Sequence, residues 1–278
     1  MEKFKKKDLI KIKEDFFQNG FVVLKNFYSK KQLRILFKSI SNIMSIAIKE
    51  NNIKFSDKEK SKLEDKIDAM YLALKKQNPK LKANVYAHLK SLDKLSQLFS
   101  NDKIIKIINF ILSSDSIIDH TQIRIDDMSN DRILDFHQEL GQKSLMNITV
   151  WSPLKRLIKK SSGGIKVSPK SHKLRFLNHS VKGTNNNTYL NISSKTILEK
   201  KIKFKIIKIN EGDLLMFHPL LIHGSVKNIS KKIRWTAIAR YNSFKYLRSF
   251  IDGKERFTQE KDQNLYKKNY NSKDFTWI

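Results

Sequence analysis

Cysteine is absent from the 278 residues, which excludes disulfides, thiolate metal sites and a cysteine nucleophile. Any metal would have to be held by nitrogen and oxygen. No run of about eighteen apolar residues exists to span a bilayer. The N-terminal MEKFKKKDLIKIKEDFF is basic but has neither an apolar core region nor a small-residue cleavage site. It does not read as a secretory signal, and a cytoplasmic protein is expected. Nothing resembles a linker and no internal repeat is visible, so one domain over 1–278 is expected rather than two modest ones.

Acidic residues are few: 27 Asp and Glu stand against 56 Lys and Arg, a formal net charge of +29. Such a balance invites a nucleic-acid reading, because Lys and Arg neutralise phosphates and release counterions. Arginine, which reads guanine edges, is itself scarce. Lysine doublets such as Lys30-Lys31, Lys75-Lys76, Lys159-Lys160, Lys231-Lys232 and Lys267-Lys268 are scattered rather than clustered. Nucleic acid is therefore not the expected partner. The accompanying wealth of Ile and Asn points to compositional drift in the proteome of origin, with an anionic substrate or partner as the other reading.

What is present falls into two regimes. Residues 1–115 read as mainly helical, with one early strand. Ser29, followed by Gln32 and then Leu33, Leu36, Phe37, Ile40, Ile43, Met44 and Ala47, is a capping-box opening on an amphipathic helix. Ser56 with Glu59 opens a second, through Leu63, Ile67, Met70, Tyr71 and Leu74, and Asp102 opens a third, DKIIKIINFIL. In NGFVVLKNF, Gly20 breaks a helix and Phe21 to Leu24 form a short strand able to join a sheet built much later. From residue 118 to 245 short apolar stretches alternate with polar loops (IIDHTQIRID, NITVWSPL, GGIKVSP, KFKIIKI, GDLLMFHPLLIHGS, IRWTAIARY), which suggests a sandwich or jelly roll. NHSVKGTNNNTYLNISSKT reads as a long surface loop. LIKKSSGG, residues 157–164, has the Gly and Ser content of either a lid or a plain connection. Residues 246–278 mix aromatics with charge (Tyr246, Phe250, Phe257, Tyr266, Tyr270, Phe275, Trp277) and are expected to pack over the core.

The stretch DFHQELGQ places His137 and Glu139 two residues apart, where they share a face only on extended backbone. A further candidate lies in EGDLLMFHPLLIHGS, where a turn at Gly212-Asp213 leads through an apolar strand to His218-Pro219 and His223. Eleven residues past His223 comes Arg234, a spacing that fits a hairpin with both side chains turned into one cavity. His218 and His223 are five apart and so face opposite ways on a regular strand. His218, beside Pro219, reads as a structural residue at a bend, and His88, His120, His172 and His179 as surface or loop histidines.

The ordered series FHQE, ITVWSPL, GGIKVSPKSHK, GDLLMFHPLLIHGS and RWTAIARY, with QNGFVVLKNF before it, resembles the phytanoyl-CoA dioxygenase family of Fe(II)- and 2-oxoglutarate-dependent oxygenases. The resemblance covers roughly residues 15 to 245. It implies a double-stranded β-helix, a cupin-like jelly roll, mainly β with N-terminal helices and bracing α-helices. It implies iron held by His137, Glu139 and His223, the far carboxylate of 2-oxoglutarate held by Arg234 and Ser225, and Trp151 and Gln122 lining the cosubstrate pocket. Arg124, on the same side as Gln122 if that strand is regular, would meet cosubstrate or an anionic substrate. Two imidazoles and one carboxylate on one face of Fe(II) leave three positions open for the keto acid and dioxygen.

Two departures stand out. The family's usual Asp is Glu139 here, whose extra methylene moves the carboxylate by about 1.5 Å. An anionic ligand at this position also argues for hydroxylation over halogenation, since halogenating relatives carry a small residue there. The family's PGSH appears as Pro169-Lys170-Ser171-His172, with Lys where Gly is common. The expected activity is hydroxylation of a small, by preference anionic, metabolite. Desaturation, epimerisation or cyclisation by the same cofactors, and a non-catalytic jelly roll binding polyanions, are the rivals.

Overall fold

The structure, a computed structural model, describes residues 4–56, 62–128, 135–139, 145–155, 160–182, 189–245, 264 and 267–278. Helix α1 (Lys6–Asn19) turns Leu9, Ile12 and Phe16 inward at helical spacing and stops at Gly20, whose φ of 82° only glycine adopts without strain. The chain then enters β1 (Phe21–Leu24). Helix α2 (Lys30–Glu50) opens on the anticipated box: the Ser29 hydroxyl accepts from the Gln32 amide at 3.2 Å, and Gln32 Oε1 accepts from the Ser29 amide at 2.9 Å. Helix α3 (Leu63–Gln77) buries the expected Ile67, Met70, Tyr71 and Leu74. The capping box foreseen at Ser56 and Glu59 runs into residues 57–61, outside the described residues.

Two short helices lacked a periodic signal. Helix α4 (Pro79–His88) is opened by Asn78, whose side chain accepts from the Leu81 amide, with Pro79 in the first turn; α5 (Asp93–Phe99) follows. Helix α6 (Asp102–Leu112) is capped by Asn101 rather than opened by Asp102, since the Asn101 side chain takes the Ile104 amide at 3.2 Å.

The β region begins with β2 (Ser116–Asp126), β3 (Asn147–Pro153) and β4 (Gly164–Val167), then β5 (His179–Lys182) and β6 (Tyr189–Ile192). Helix α7 (Ser194–Glu199) intervenes before β7 (Lys205–Ile206), β8 (Leu214–Phe217), β9 (His223–Val226) and β10 (Arg234–Ser243). A five-stranded antiparallel sheet runs in the order β1-β8-β3-β10-β2, so the early strand does join a sheet completed some two hundred residues later. A second sheet, β7-β4-β9, faces it, and β5-β6 form a separate ribbon.

Side-chain alternation gives the large sheet two different faces. Ile148 and Val150 of β3, Leu214 and Met216 of β8, and Trp235, Ala237, Ala239 and Tyr241 of β10 join the helices in the main core. Trp235 meets Phe37 of α2 and Tyr71 of α3 edge-on, and its indole N–H donates to Asp68 at 2.8 Å. The alternate residues turn toward the small sheet, where Trp151, Leu215 and Phe217 meet Ile165 and Val167 in a second apolar cluster. Two facing sheets braced by helices on one side are the jelly roll that the resemblance implies.

Four expectations change. β9 and β10 are not a hairpin: β9 pairs with β4 and β10 with β2 and β3, so His223 and Arg234 face each other from opposite sheets. A seven-residue connection allows a crossing between layers as readily as a tight return. The Asn-rich stretch is not a loop throughout, since it supplies β5, β6 and the start of α7, with 183–188 outside the described residues. KFKIIKI contributes only the two residues of β7. His172 and His179 are buried, not surface histidines. Of the C-terminal aromatics, Tyr270, Phe275 and Trp277 are buried in the main core, while Tyr246, Phe250, Phe257 and Tyr266 lie outside the described residues. Of LIKKSSGG, residues 157–159 also lie outside them. Lys170 keeps the turn that glycine would favour by adopting a φ of 66°.

Candidate active site

A cavity of about 280 Å³ opens between the two sheets. His137 and Glu139 enter it from a segment that is extended but is not a strand. His137 makes a single bridge to the first residue of β9, its amide donating to the His223 carbonyl at 2.9 Å and its carbonyl accepting from the His223 amide at 3.1 Å. The Glu139 amide donates to the Pro219 carbonyl at 2.8 Å. Extended backbone turns the residue between them the other way. Gln138 is buried, donating to the carbonyls of Arg175 and Leu220 at 2.8 Å each and accepting from the Leu177 amide at 3.0 Å. Its own amide donates to His179 Nε2 at 3.1 Å, while His179 Nδ1 donates to the Leu177 carbonyl. The two outward side chains are thus aimed by an inward one that is fixed at every polar atom.

The histidine tautomers follow from their partners. His137 Nδ1 lies 2.7 Å from the Asp135 carbonyl and His223 Nδ1 lies 3.0 Å from the Leu221 carbonyl. A carbonyl only accepts, so each Nδ1 carries the proton and each Nε2 keeps its lone pair. The rings are 4.3 Å apart, His223 Nε2 is 3.4 Å from Glu139 Oε1, and one ligand atom from each of the three residues lies within 4.8 Å of the others. Two atoms each bonded at about 2.1 Å to one ion at right angles stand about 3 Å apart, so the donor set fits a divalent metal.

Protonation favours the same use. Burial, reinforced by His223, lowers the His137 pKa to about 3, which keeps its imidazole neutral. Burial pushes the Glu139 pKa up, but the Arg240 guanidinium beside it, the strongest opposing influence, pulls it below the usual carboxylate range. Neutral imidazoles and an ionised carboxylate are the forms that bind metal.

Arg234 reaches the same cavity from β10. Its Nε and Nη2 donate to Asp126 Oδ2 at 3.2 and 2.8 Å, and its Nη1 to the Val226 carbonyl at 3.0 Å. Arg124 Nε meets both oxygens of Asp126, at 2.9 and 3.0 Å. The expected open fork is therefore already engaged, although two guanidinium groups on one carboxylate leave the cluster net positive. Ser225 lines the cavity two residues from His223, and Gln122 lies on the Arg124 side of β2, donating to the Tyr86 hydroxyl at 3.1 Å. Trp151 lines the cavity and also packs in the second apolar cluster, so core and pocket readings both describe it.

Gly163 ties the backbone to this arrangement. Its φ is 76°, and a Cβ there would overlap Arg234 Nη1 and the Val226 carbonyl oxygen. Gly163→Ala is expected to cost about 1–2 kcal/mol from the left-handed backbone alone, visible as a lower thermal midpoint.

The model of the phytanoyl-CoA dioxygenase family matches residues 16–236. The chain belongs to that family. Membership makes it an enzyme of the Fe(II)- and 2-oxoglutarate-dependent oxygenase class. No curated protein matches it in sequence. Among solved structures, EctD from S. alaskensis with 2-oxoglutarate and 5-hydroxyectoine aligns at TM-score 0.56 and 16% identity, over 87% of this chain and 77% of that one. The α-ketoglutarate-dependent epimerase SnoN from nogalamycin biosynthesis aligns at 0.55 and 12%, over 86% and 84%. The carbocyclase SnoK from the same biosynthesis aligns at 0.52 and 11%, over 86% and 83%. At these identities the likeness is one of fold. No helix among the described residues is long and apolar enough to cross a membrane.

Within the family framework, several site residues escaped the sequence reading. Arg240 donates to Glu139 Oε2, Asp126 gathers two arginines, and Tyr86, Thr149 and Phe217 also line the cavity. Arg240 was accessible in principle: from Arg234, every second residue of RWTAIAR shares its face, and Arg240 is six along. Asp126 stands in the same relation to Arg124. Tyr86 arrives on a helix, and nothing in its local pattern announces a cavity residue. His218 takes no part. Its Nε2 donates to the Trp277 carbonyl at 2.9 Å, its Nδ1 accepts from the Leu220 amide at 3.0 Å, and its ring stacks on Trp277.

Proposed function

We propose that the protein is a cytoplasmic, single-domain oxygenase that hydroxylates a small anionic metabolite, using Fe(II), dioxygen and 2-oxoglutarate. The observation that carries the reading is the convergence of His137, Glu139 and His223, with both imidazole protons committed to backbone carbonyls, in a cavity whose far side holds Arg234. When bound, iron and the keto acid supply the oxidising chemistry, with release of succinate and carbon dioxide. The chain's own residues bind and orient. His137 and His223 offer Nε2, Glu139 offers Oε1, and Arg234 with Ser225 anchors the far carboxylate of 2-oxoglutarate. Gln122, Trp151 and Arg124 wall the cosubstrate pocket.

An anionic substrate is favoured by which cations the cavity uses. Only nine of the 56 basic residues are arginine. Yet among the described residues the cavity is lined by three arginines, Arg124, Arg234 and Arg240, and by no lysine. A planar fork suits carboxylate or phosphate better than an ammonium does. Three guanidinium groups against Asp126 and Glu139 leave a surplus positive charge, which an iron dication and a 2-oxoglutarate dianion together do not cancel.

The epimerase and carbocyclase among the structural neighbours favour a second reading, in which the same cofactors epimerise, desaturate or cyclise the substrate. Product mass separates the two, since hydroxylation adds one oxygen. Steeply salt-dependent DNA binding without succinate formation would favour the polyanion-binding alternative instead.

The test is anaerobic addition of Fe(II) and 2-oxoglutarate. A visible charge-transfer band is expected, followed by succinate on exposure to oxygen, and a colourless mixture that forms no succinate sinks the proposal. In the same titration Gly163→Ala should weaken 2-oxoglutarate on the order of tenfold through displacement of Arg234, equivalent to one charge-assisted hydrogen bond of about 1.5 kcal/mol.

A further inference from the structure

Glu139 departs from the family's His-x-Asp pair within the ligand set itself, and its two oxygens have different surroundings. Oε1 faces His223 Nε2 at 3.4 Å. Oε2 accepts from Arg240 Nε and from Arg240 Nη2, both at 3.0 Å. Glutamate needs that division more than aspartate does. Its extra methylene adds a torsion, and a carboxylate with that freedom can turn to offer a metal both oxygens rather than one. A second oxygen would fill one of the three positions that two histidines and one carboxylate leave open.

The backbone explains how Arg240 comes to be there. β10 and β2 stay in register from Arg234 opposite Asp126 to Arg240 opposite His120, and then the register shifts, with Tyr241 opposite Ile118. Asp119 is the extra residue of a β-bulge, a device that re-aims side chains beside functional sites. On its other flank Arg240 is opposite Thr149 of β3, a fellow cavity residue. Its side chain is 22% exposed, so the guanidinium forms part of the cavity wall instead of extending into solvent.

We propose that Arg240 is a positioning residue: by occupying Glu139 Oε2 with two donors, it holds the carboxylate as a one-oxygen ligand and keeps a coordination position available to 2-oxoglutarate. The inference rests on the iron and 2-oxoglutarate reading above. It also accounts for the use of Glu in this chain, because Asp at position 139 would end about 1.5 Å short of Arg240.

Arg240→Gln and Arg240→Met both remove the donors while keeping most of the stem, so either one that folds is sufficient. Fe(II) and Co(II) binding are measured by calorimetry without cosubstrate, and 2-oxoglutarate by anaerobic titration of the band. Metal affinity should be unchanged or higher, while 2-oxoglutarate binding at the metal should weaken by about tenfold or more, the equivalent of roughly 1.4 kcal/mol or more lost with the blocked coordination position. Arg240→Lys, with one donor, should recover part of the loss. In a Glu139→Asp background, Arg240→Gln should change 2-oxoglutarate binding by no more than about twofold, as for independent sites. Unaltered 2-oxoglutarate binding in Arg240→Gln or Arg240→Met overturns the inference, as does an equal loss of metal and cosubstrate. If neither folds, a wild-type titration by Arg240→Lys overturns it. A missing band in the unsubstituted protein would defeat the iron reading itself.

Discussion

His223→Ala protein will show no charge-transfer band when Fe(II) and 2-oxoglutarate are added without oxygen, and will form no succinate. His218→Ala, five residues away, will keep the band and lose stability instead. The contrast follows from what each ring touches. His223 presents Nε2 to the cavity beside His137 and Glu139, so its removal leaves two of the three proposed ligands. His218 is buried on the far side, and its removal orphans the Trp277 carbonyl and the Leu220 amide and opens a void beside Trp277. Unmade buried hydrogen bonds and the void together should cost about 3 kcal/mol or more. For a chain of this size that is a fall of roughly 6–12 °C in thermal midpoint. A band that survives His223→Ala, or disappears with His218→Ala while the protein stays folded, would mean that the wrong histidine has been assigned to the metal.

The second large effect concerns acid. Burial lowers the pKa of His172 and of His179 to about 4 and moves His218 in the same direction, against an ordinary value of 6.5. Protonation also conflicts with bonding at two of them. His179 Nε2 accepts from the Gln138 amide and His218 Nδ1 from the Leu220 amide, so an added proton would face an N–H. The unfolded chain binds protons on these residues below pH 6.5, whereas the folded chain resists until about pH 4 at His172 and His179 and resists likewise at His218. Their stabilisation is therefore complete above pH 6.5 and is lost as pH falls toward 4. The slope is up to about 1.4 kcal/mol per pH unit for each histidine. Urea melts at pH 7.5, 6.5, 5.8 and 5.0 stay above the range in which ordinary exposed carboxylates titrate, and the midpoint should fall steadily below 6.5. A midpoint that does not move over that interval would show the three rings to be protonated without penalty.

Much of the candidate site's geometry was legible because it obeys short-range rules. His137 and Glu139 share a face for the reason any residues two apart on extended backbone do, even though the segment makes only one bridge. Ser29 and Gln32 form a capping box from local chemistry alone. Where the sequence reading failed, the deciding contacts were distant or the pattern was weak. Helix α4 buries little besides Val85, so it has almost no apolar stripe to detect. β5 and β6 are joined by a backbone ladder that places little demand on side chains, and their Asn-rich surroundings look like loop. The spacing from His223 to Arg234 fits either a hairpin or a crossing, and only the pairing of β4 with β9 decides between them. Asp126 could not be foreseen as the partner of Arg234, because the two are 108 residues apart.

The pairing of β1 with β8 bears on how the chain is made. Phe21 lies opposite Phe217, so the strand that completes the large sheet's edge emerges from the ribosome long before its neighbour exists. At translation rates of about 5–20 residues per second, Phe21 to Leu24 wait roughly 10–40 s with their backbone groups unmatched. During that interval α1, which packs directly against β1 in the finished structure, is able to shelter them, which makes this amphipathic N-terminal helix a nascent-chain guard as well as a brace for the finished sheet.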